Sequence, residues 1–133
     1  MSQENVDLAK RARDTYNTDA ALSEYAALVT PDFEWITAMA GVEDEVMRGR
    51  EGVEAYYASL NAAWESVRVF GGEFRDLGDR VLWLGQMEAR GRSSGAVVCS
   101  PAASLYEFRD GRISRLRSFL DHGEALKAVG LDE

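Results

Sequence analysis

The stretch "SLYEFRDGRISRLRSF", Ser104 to Phe119, decides the fold. Apolar and polar residues alternate on both sides of a D-G pair, the pattern of two strands closed by a tight turn. A type I turn with Gly111 in the left-handed position, as a three-residue hairpin, sets Glu107 opposite Arg115, Tyr106 opposite Leu116 and Ser104 opposite Ser118. One face then carries Ser104, Tyr106, Leu116, Ser118 and Leu120 and suits a cavity wall. The other carries Leu105, Glu107, Arg115, Arg117 and Phe119, where the arginines are expected to pair with glutamates across strands. Leu105 and Phe119 on an outer sheet face need a cover. The expected cover is a second copy of the chain, which makes the protein a homodimer joined through that face.

Working outward from the hairpin, Val67–Arg75, Val81–Arg90, Val97–Phe108 and Ile113–Leu120 read as strands separated by "DLGD", "GRSSG" and "RDGR". This is an antiparallel meander. Before it the period is helical. Val6, Ala9, Ala12, Arg13 and Tyr16 recur at helix spacing, and Thr18 or Asp19 can cap a second helix with Leu22, Tyr25, Ala26 and Val29, which Pro31 ends. Val53, Tyr56, Tyr57, Leu60, Trp64 and Val67 then lay one aromatic stripe along a long helix. For most of that stripe the expected use is core packing. Helices first and long strands later predict an α+β fold, with the helices on the concave face of a curved antiparallel sheet.

Two short strands precede the long helix: Phe33–Thr37 and Glu45–Gly49. On the first, Phe33 and Trp35 share the inward side and Glu34 points away, so Glu34 is expected to be a solvated or interface carboxylate. Glu43, Asp44 and Glu45 read as a solvated loop. At the other end, in "LDHGEALKAVG", Asp121 followed by Glu124 predicts the cap of a short helix that Gly130 terminates. His122 lies in its first turn. It is the chain's one histidine and the one side chain that ordinarily titrates near neutrality, which makes it the candidate acid or base at the cavity mouth.

Composition excludes several classes of function. The chain has 133 residues, 46% of them hydrophobic, enough for one sizeable core, and residues 1–133 are read as one domain. Fifteen basic against twenty-three acidic residues give a net charge of -8, which disfavours nucleic acid as a partner. No apolar stretch is long enough for a membrane span, and "MSQENVDLAK" lacks the basic start and apolar block of a signal peptide. With Cys99 alone, no internal disulfide can close, and a cytoplasmic location is expected. One Cys and one His do not make a zinc cage. Neither metal nor cofactor is expected.

The order "LVTPDFEW", "MRGREGVEAYY", "RDLGDRVLWLG", "SLYEFRDGRISRLRSFLDHGEAL" resembles the nuclear transport factor 2-like superfamily, and specifically its SnoaL-like bacterial branch. The resemblance covers nearly the whole chain. It rests on the order and spacing of the motifs, above all "GREG" opening the long helix and "FRDGRI...FLD" near the end. It implies a cone: a bent sheet wrapped round a long helix, with a cavity open at the wide end. Ketosteroid isomerases, limonene epoxide hydrolases, scytalone dehydratase and polyketide cyclases use that cavity for acid–base chemistry, while other members only bind partners. Placed residue by residue, the isomerases' general base falls on Trp35 and their oxyanion donors near Ala12 and on Ser104. The epoxide hydrolases' Asp-Arg-Asp set falls on Gly85, Met87 and Ser118. This chain lacks both sets.

Two readings follow. In the first the cone binds a small flat apolar or aromatic molecule against Tyr16, Trp35, Tyr56, Trp83, Met87, Ser104, Tyr106, Ser118 and Leu120. In the second it is a cofactor-independent isomerase, cyclase or dehydratase acting on a polyketide-like or steroid-like substrate through His122.

Overall fold

The computed structural model describes residues 2–16, 27–36 and 46–130, apart from the side chains of Ser2, Tyr16, Ser59, Leu60 and Ala63. Among them run α1 (Ser2–Tyr16), β1 (Val29–Ile36), β2 (Val46–Arg48), α2 (Gly49–Ala63), β3 (Trp64–Asp76), β4 (Arg80–Gly91), β5 (Val97–Arg109), β6 (Arg112–Phe119) and α3 (His122–Ala128). The fold is α+β. The expected caps Thr18 and Asp19, the helix positions Leu22, Tyr25 and Ala26, and the acidic run Glu43–Glu45 lie outside the described residues.

The strands form one sheet in the order β2-β1-β6-β5-β4-β3. The β3–β6 meander is antiparallel throughout, as the alternation requires. β1 joins it parallel to β6 and antiparallel to β2, so the whole sheet is mixed. Ala27 is helical and β1 begins at Val29, so the change from helix to strand comes before Pro31. Pro31 lies inside β1, together with Val29, where the β1–β6 pairing is irregular between Val29 and Glu34; a residue without an N–H is tolerated where the ladder is broken.

The register expected of the β5–β6 hairpin holds: Ser104 faces Ser118, Tyr106 faces Leu116 and Glu107 faces Arg115. The turn that produces it is different. Asp110 and Gly111 both have positive φ, 56° and 77°, as a two-residue type I′ turn demands, and Arg109 pairs directly with Arg112. The odd residue sits one step further on, where β6 bulges between Ile113 and Arg115 and the Ser114 hydroxyl donates to the Glu107 carbonyl at 3.2 Å.

The aromatic stripe also divides. α2 stops at Ala63, and Trp64 and Val67 belong to β3, paired with Gly91 and Ala89. Their spacing fits a helix, but Val67 and Val69 also alternate with Arg68 and Phe70 at period two, and pairing with β4 settles the conflict.

Two clusters fill the two sides of the sheet. On the inner side Phe33, Trp35, Trp83 and Met87 of the sheet meet Ala9 and Ala12 of α1 and Val53 and Tyr56 of α2. Truncating such a buried aromatic costs about 3–5 kcal/mol. On the outer side Leu82, Leu84, Ala103, Leu105 and Phe119 are covered by Ala125, Leu126 and Val129. This corrects the expectation for the outer face: Leu105 and Phe119 are each 6% exposed, and the chain's own α3 and the turn after it cover them. Asp121 caps that helix, accepting from the Gly123 N–H at 2.7 Å, and Gly130, at φ 77°, follows its end.

Glu34 points outward, as its parity predicts. It stands between Arg48 on β2, at 3.4 Å, and Arg115 on β6, at 3.8 Å. Arg117 lies over the Phe119 ring at 5.0 Å. No helix among the described residues is long and apolar enough to cross a membrane.

Candidate functional site

On the inner side one row of residues crosses four strands. Trp83 on β4 faces Ser104 on β5, Ser104 faces Ser118 on β6, and the Trp35 indole N–H reaches the Ser118 hydroxyl at 3.3 Å. Two hydroxyls therefore lie between two tryptophans. Both indoles are about 1% exposed, and both have their single donor satisfied: Trp83 Nε1–H donates to the Gly71 carbonyl at 2.9 Å.

Glycine makes the Trp83 pose possible. A Cβ at Gly85 would lie 2.1 Å from Trp83 Cζ2, so the indole lies across a strand position that has no side chain. The acceptor comes from a bulge of β3, where Gly71 and Gly72 have φ 68° and 82° and the β3–β4 register shifts between Phe70 and Glu73.

α2 closes the other end. Tyr56 stacks on Trp35 with ring centroids 4.0 Å apart, and Tyr57 stands edge-on to both rings. Between these walls is a cavity of about 50 Å3. Eight of the residues expected to form the pocket line it: Trp35, Tyr56, Trp83, Met87, Ser104, Tyr106, Ser118 and Leu120. The side chain of the ninth, Tyr16, lies outside the described residues. Leu120 is 38% exposed and marks the open side.

The chemistry of the wall is one-sided. Among the described residues that line it there is no Asp, Glu or His, and Arg13 at the end of α1 is the one charged group. Arg13 contacts the same oxygen as Trp83, its Nη1 lying 3.3 Å from the Gly71 carbonyl, and its guanidinium sits over the Phe74 ring at 5.1 Å. Sequence reasoning grouped Arg13 with the apolar residues of α1. The available signal was a charged residue at a buried helical phase.

His122 does not line the cavity. Its Nε2 lies 2.9 Å from the Gly85 carbonyl and 3.1 Å from the Ala102 carbonyl, two acceptors, so Nε2 carries a hydrogen and donates. The ring is tied to the backbone of β4 and β5, and α3 runs from it onto the outer face. No group of three His, Cys, Asp or Glu side chains among the described residues could hold a metal ion.

The fold has close structural counterparts. TerC, solved with polyporic acid, superimposes with a TM-score of 0.78 at 20% identity, over 93% of this chain and 96% of that one. An NTF2-like protein of unknown function from Burkholderia pseudomallei K96243 gives 0.79 at 18% identity, over 96% and 98%. A protein with a ketosteroid isomerase-like fold from Catenulispora acidiphila DSM 44928, solved in complex with trimethylamine, gives 0.74 at 18% identity, over 93% and 92%. At such identities the likeness is one of fold alone. None of the curated proteins compared with the chain matches it. The family model of the SnoaL-like domain matches residues 9–116, from α1 into β6, and the chain belongs to that SnoaL-like family.

Proposed function

We propose that the protein binds a small, flat, largely apolar molecule in the inner cavity, on the row Trp83–Ser104–Ser118–Trp35. The observation that carries this reading is the wall itself: two buried indoles with satisfied donors and, between them, two hydroxyls facing the cavity. Stacking surface with a few fixed polar groups is the usual make-up of a small-molecule site. Acid–base catalysis has less support, because among the described residues the lining holds no carboxylate or imidazole and His122 Nε2 is engaged with two carbonyls.

The cavity is small for this role. Sites for drug-sized ligands enclose roughly 300–1,000 Å3, against about 50 Å3 here. Binding therefore requires the rings to part, and the Trp35–Tyr56 stack is the partition that has to open. Polyporic acid, the compound solved with TerC, is a suitable first probe. Titrating it against the intrinsic tryptophan fluorescence should give saturable quenching in the wild type. Tyr56→Ala, which removes the partition, should change the affinity at least several-fold. Quenching that does not saturate, or that is the same when Trp35 is replaced by Leu, would refute the site.

A further inference from the structure

We infer that Arg13 makes the cavity selective for a ligand with an anionic oxygen, a carboxylate, phenolate or enolate, on a flat ring; the inference rests on the binding reading above. Arg13 is placed for this by convergence. Its Nη1 and the Trp83 indole N–H both point at the Gly71 carbonyl, at 3.3 and 2.9 Å, so the guanidinium lies at the Trp83 end of the row. Trp83 in turn faces Ser104 across β4 and β5. A ring lying on Trp83 would have the arginine at its edge and a hydroxyl alongside.

The side chain is 22% exposed, so most of its length is packed against the protein. What its cation meets there is weak. Its carboxylate partner is Asp14, whose Oδ1 accepts from both Nε and Nη2 at 3.1 Å, but Asp14 is 68% exposed, and a pair so open to solvent contributes little. The Gly71 carbonyl is neutral, its contact is long, and it already serves Trp83. The Phe74 face attracts the guanidinium without neutralising it. An anionic oxygen at the Trp83 end would give this cation a charge-assisted partner beside the indole, and arginine offers planar, paired donors for it. Among the described residues the lining carries no acid that would oppose such a ligand.

The test is a matched pair of probes, 2-naphthoate and its neutral near-isostere 2-naphthamide, titrated against tryptophan fluorescence in wild type, Arg13→Gln and Arg13→Lys. The readout is the ratio of the two dissociation constants, which a general weakening of the fold does not change. Wild type should prefer naphthoate by about ten-fold or more, and the preference should shrink as salt is raised. Arg13→Gln should bring the ratio close to one, with Arg13→Lys in between. Equal affinities in the wild type, or a preference that survives Arg13→Gln, would overturn the role of Arg13 while leaving the cavity reading intact. If the wild type binds neither probe, nor polyporic acid, the cavity reading fails and this inference fails with it.

Discussion

Asp32 shows how an exposed residue can tie two distant segments. Its carboxylate accepts from the Arg109 guanidinium at the end of β5 and from the Thr30 hydroxyl, and these donors, the arginine first, hold it below the ordinary carboxylate range. A carboxyl depressed in the folded state stabilises fully above its unfolded value, and the stabilisation is lost as pH falls through the folded value. Asp32→Asn should therefore melt slightly below wild type at neutral pH, and the gap should close in acid. Both side chains are more than half exposed, which keeps the effect small. A gap unchanged at a pH where the carboxyl is protonated would exclude the ion pair as its source. Other single residues divide by what can be read along a strand. The inward side of Trp35, Trp83, Ser104 and Ser118 was legible because alternate strand residues share a face, and the hairpin register sets the two serines opposite each other. Arg13 and His122 were not. The position of Arg13 depends on a carbonyl offered by the Gly71–Gly72 bulge, 58 residues away, and the ring of His122 is held by the carbonyls of Gly85 and Ala102, 37 and 20 residues away.

Among the elements, the β5–β6 hairpin separates two descriptions that share a register. A type I turn would leave Asp110 at negative φ, where proline is welcome; the structure has it at φ 56°, which proline cannot adopt. Asp110→Pro should thus cost more than about 1 kcal/mol, read as a lower denaturation midpoint with an unchanged m-value. An Asp110→Pro variant as stable as wild type would point back to the type I turn. The pairing was legible because the D-G-R segment and the alternation beyond it agree. The turn type was not, because an extra residue in the loop and a bulge at Ser114 give Glu107 and Arg115 the same pairing. The end of α2 was hidden for a related reason: Trp64 and Val67 satisfy a helical and a strand period together, and only the pairing with β4 decides.

At the scale of the whole molecule, the parity of β5 and β6 demanded a covered outer face and could not say what covers it. The cover is α3, seven residues long, with Ala125, Leu126 and the following Val129 set against Leu105 and Phe119. A homodimer through that face loses its premise, since neither residue offers apolar surface to a second copy. Among the described residues, the large apolar side chains that remain exposed are Phe70, Val97, Val98 and Leu120, at 39%, 45%, 44% and 38%. Phe119→Glu discriminates between the two covers. Under a dimer-only cover the mutant would dissociate and its protomer would stay folded. With α3 as the cover, the new carboxylate is buried inside one chain, beneath a helix too short to hold without its apolar contacts. The expected outcome is a loss of about 3–5 kcal/mol of stability, together with faster amide exchange in α3, and no dependence of either on protein concentration. Light scattering and thermal melts at two concentrations check it: a mutant that melts like wild type but has half its mass would return the outer face to a partner.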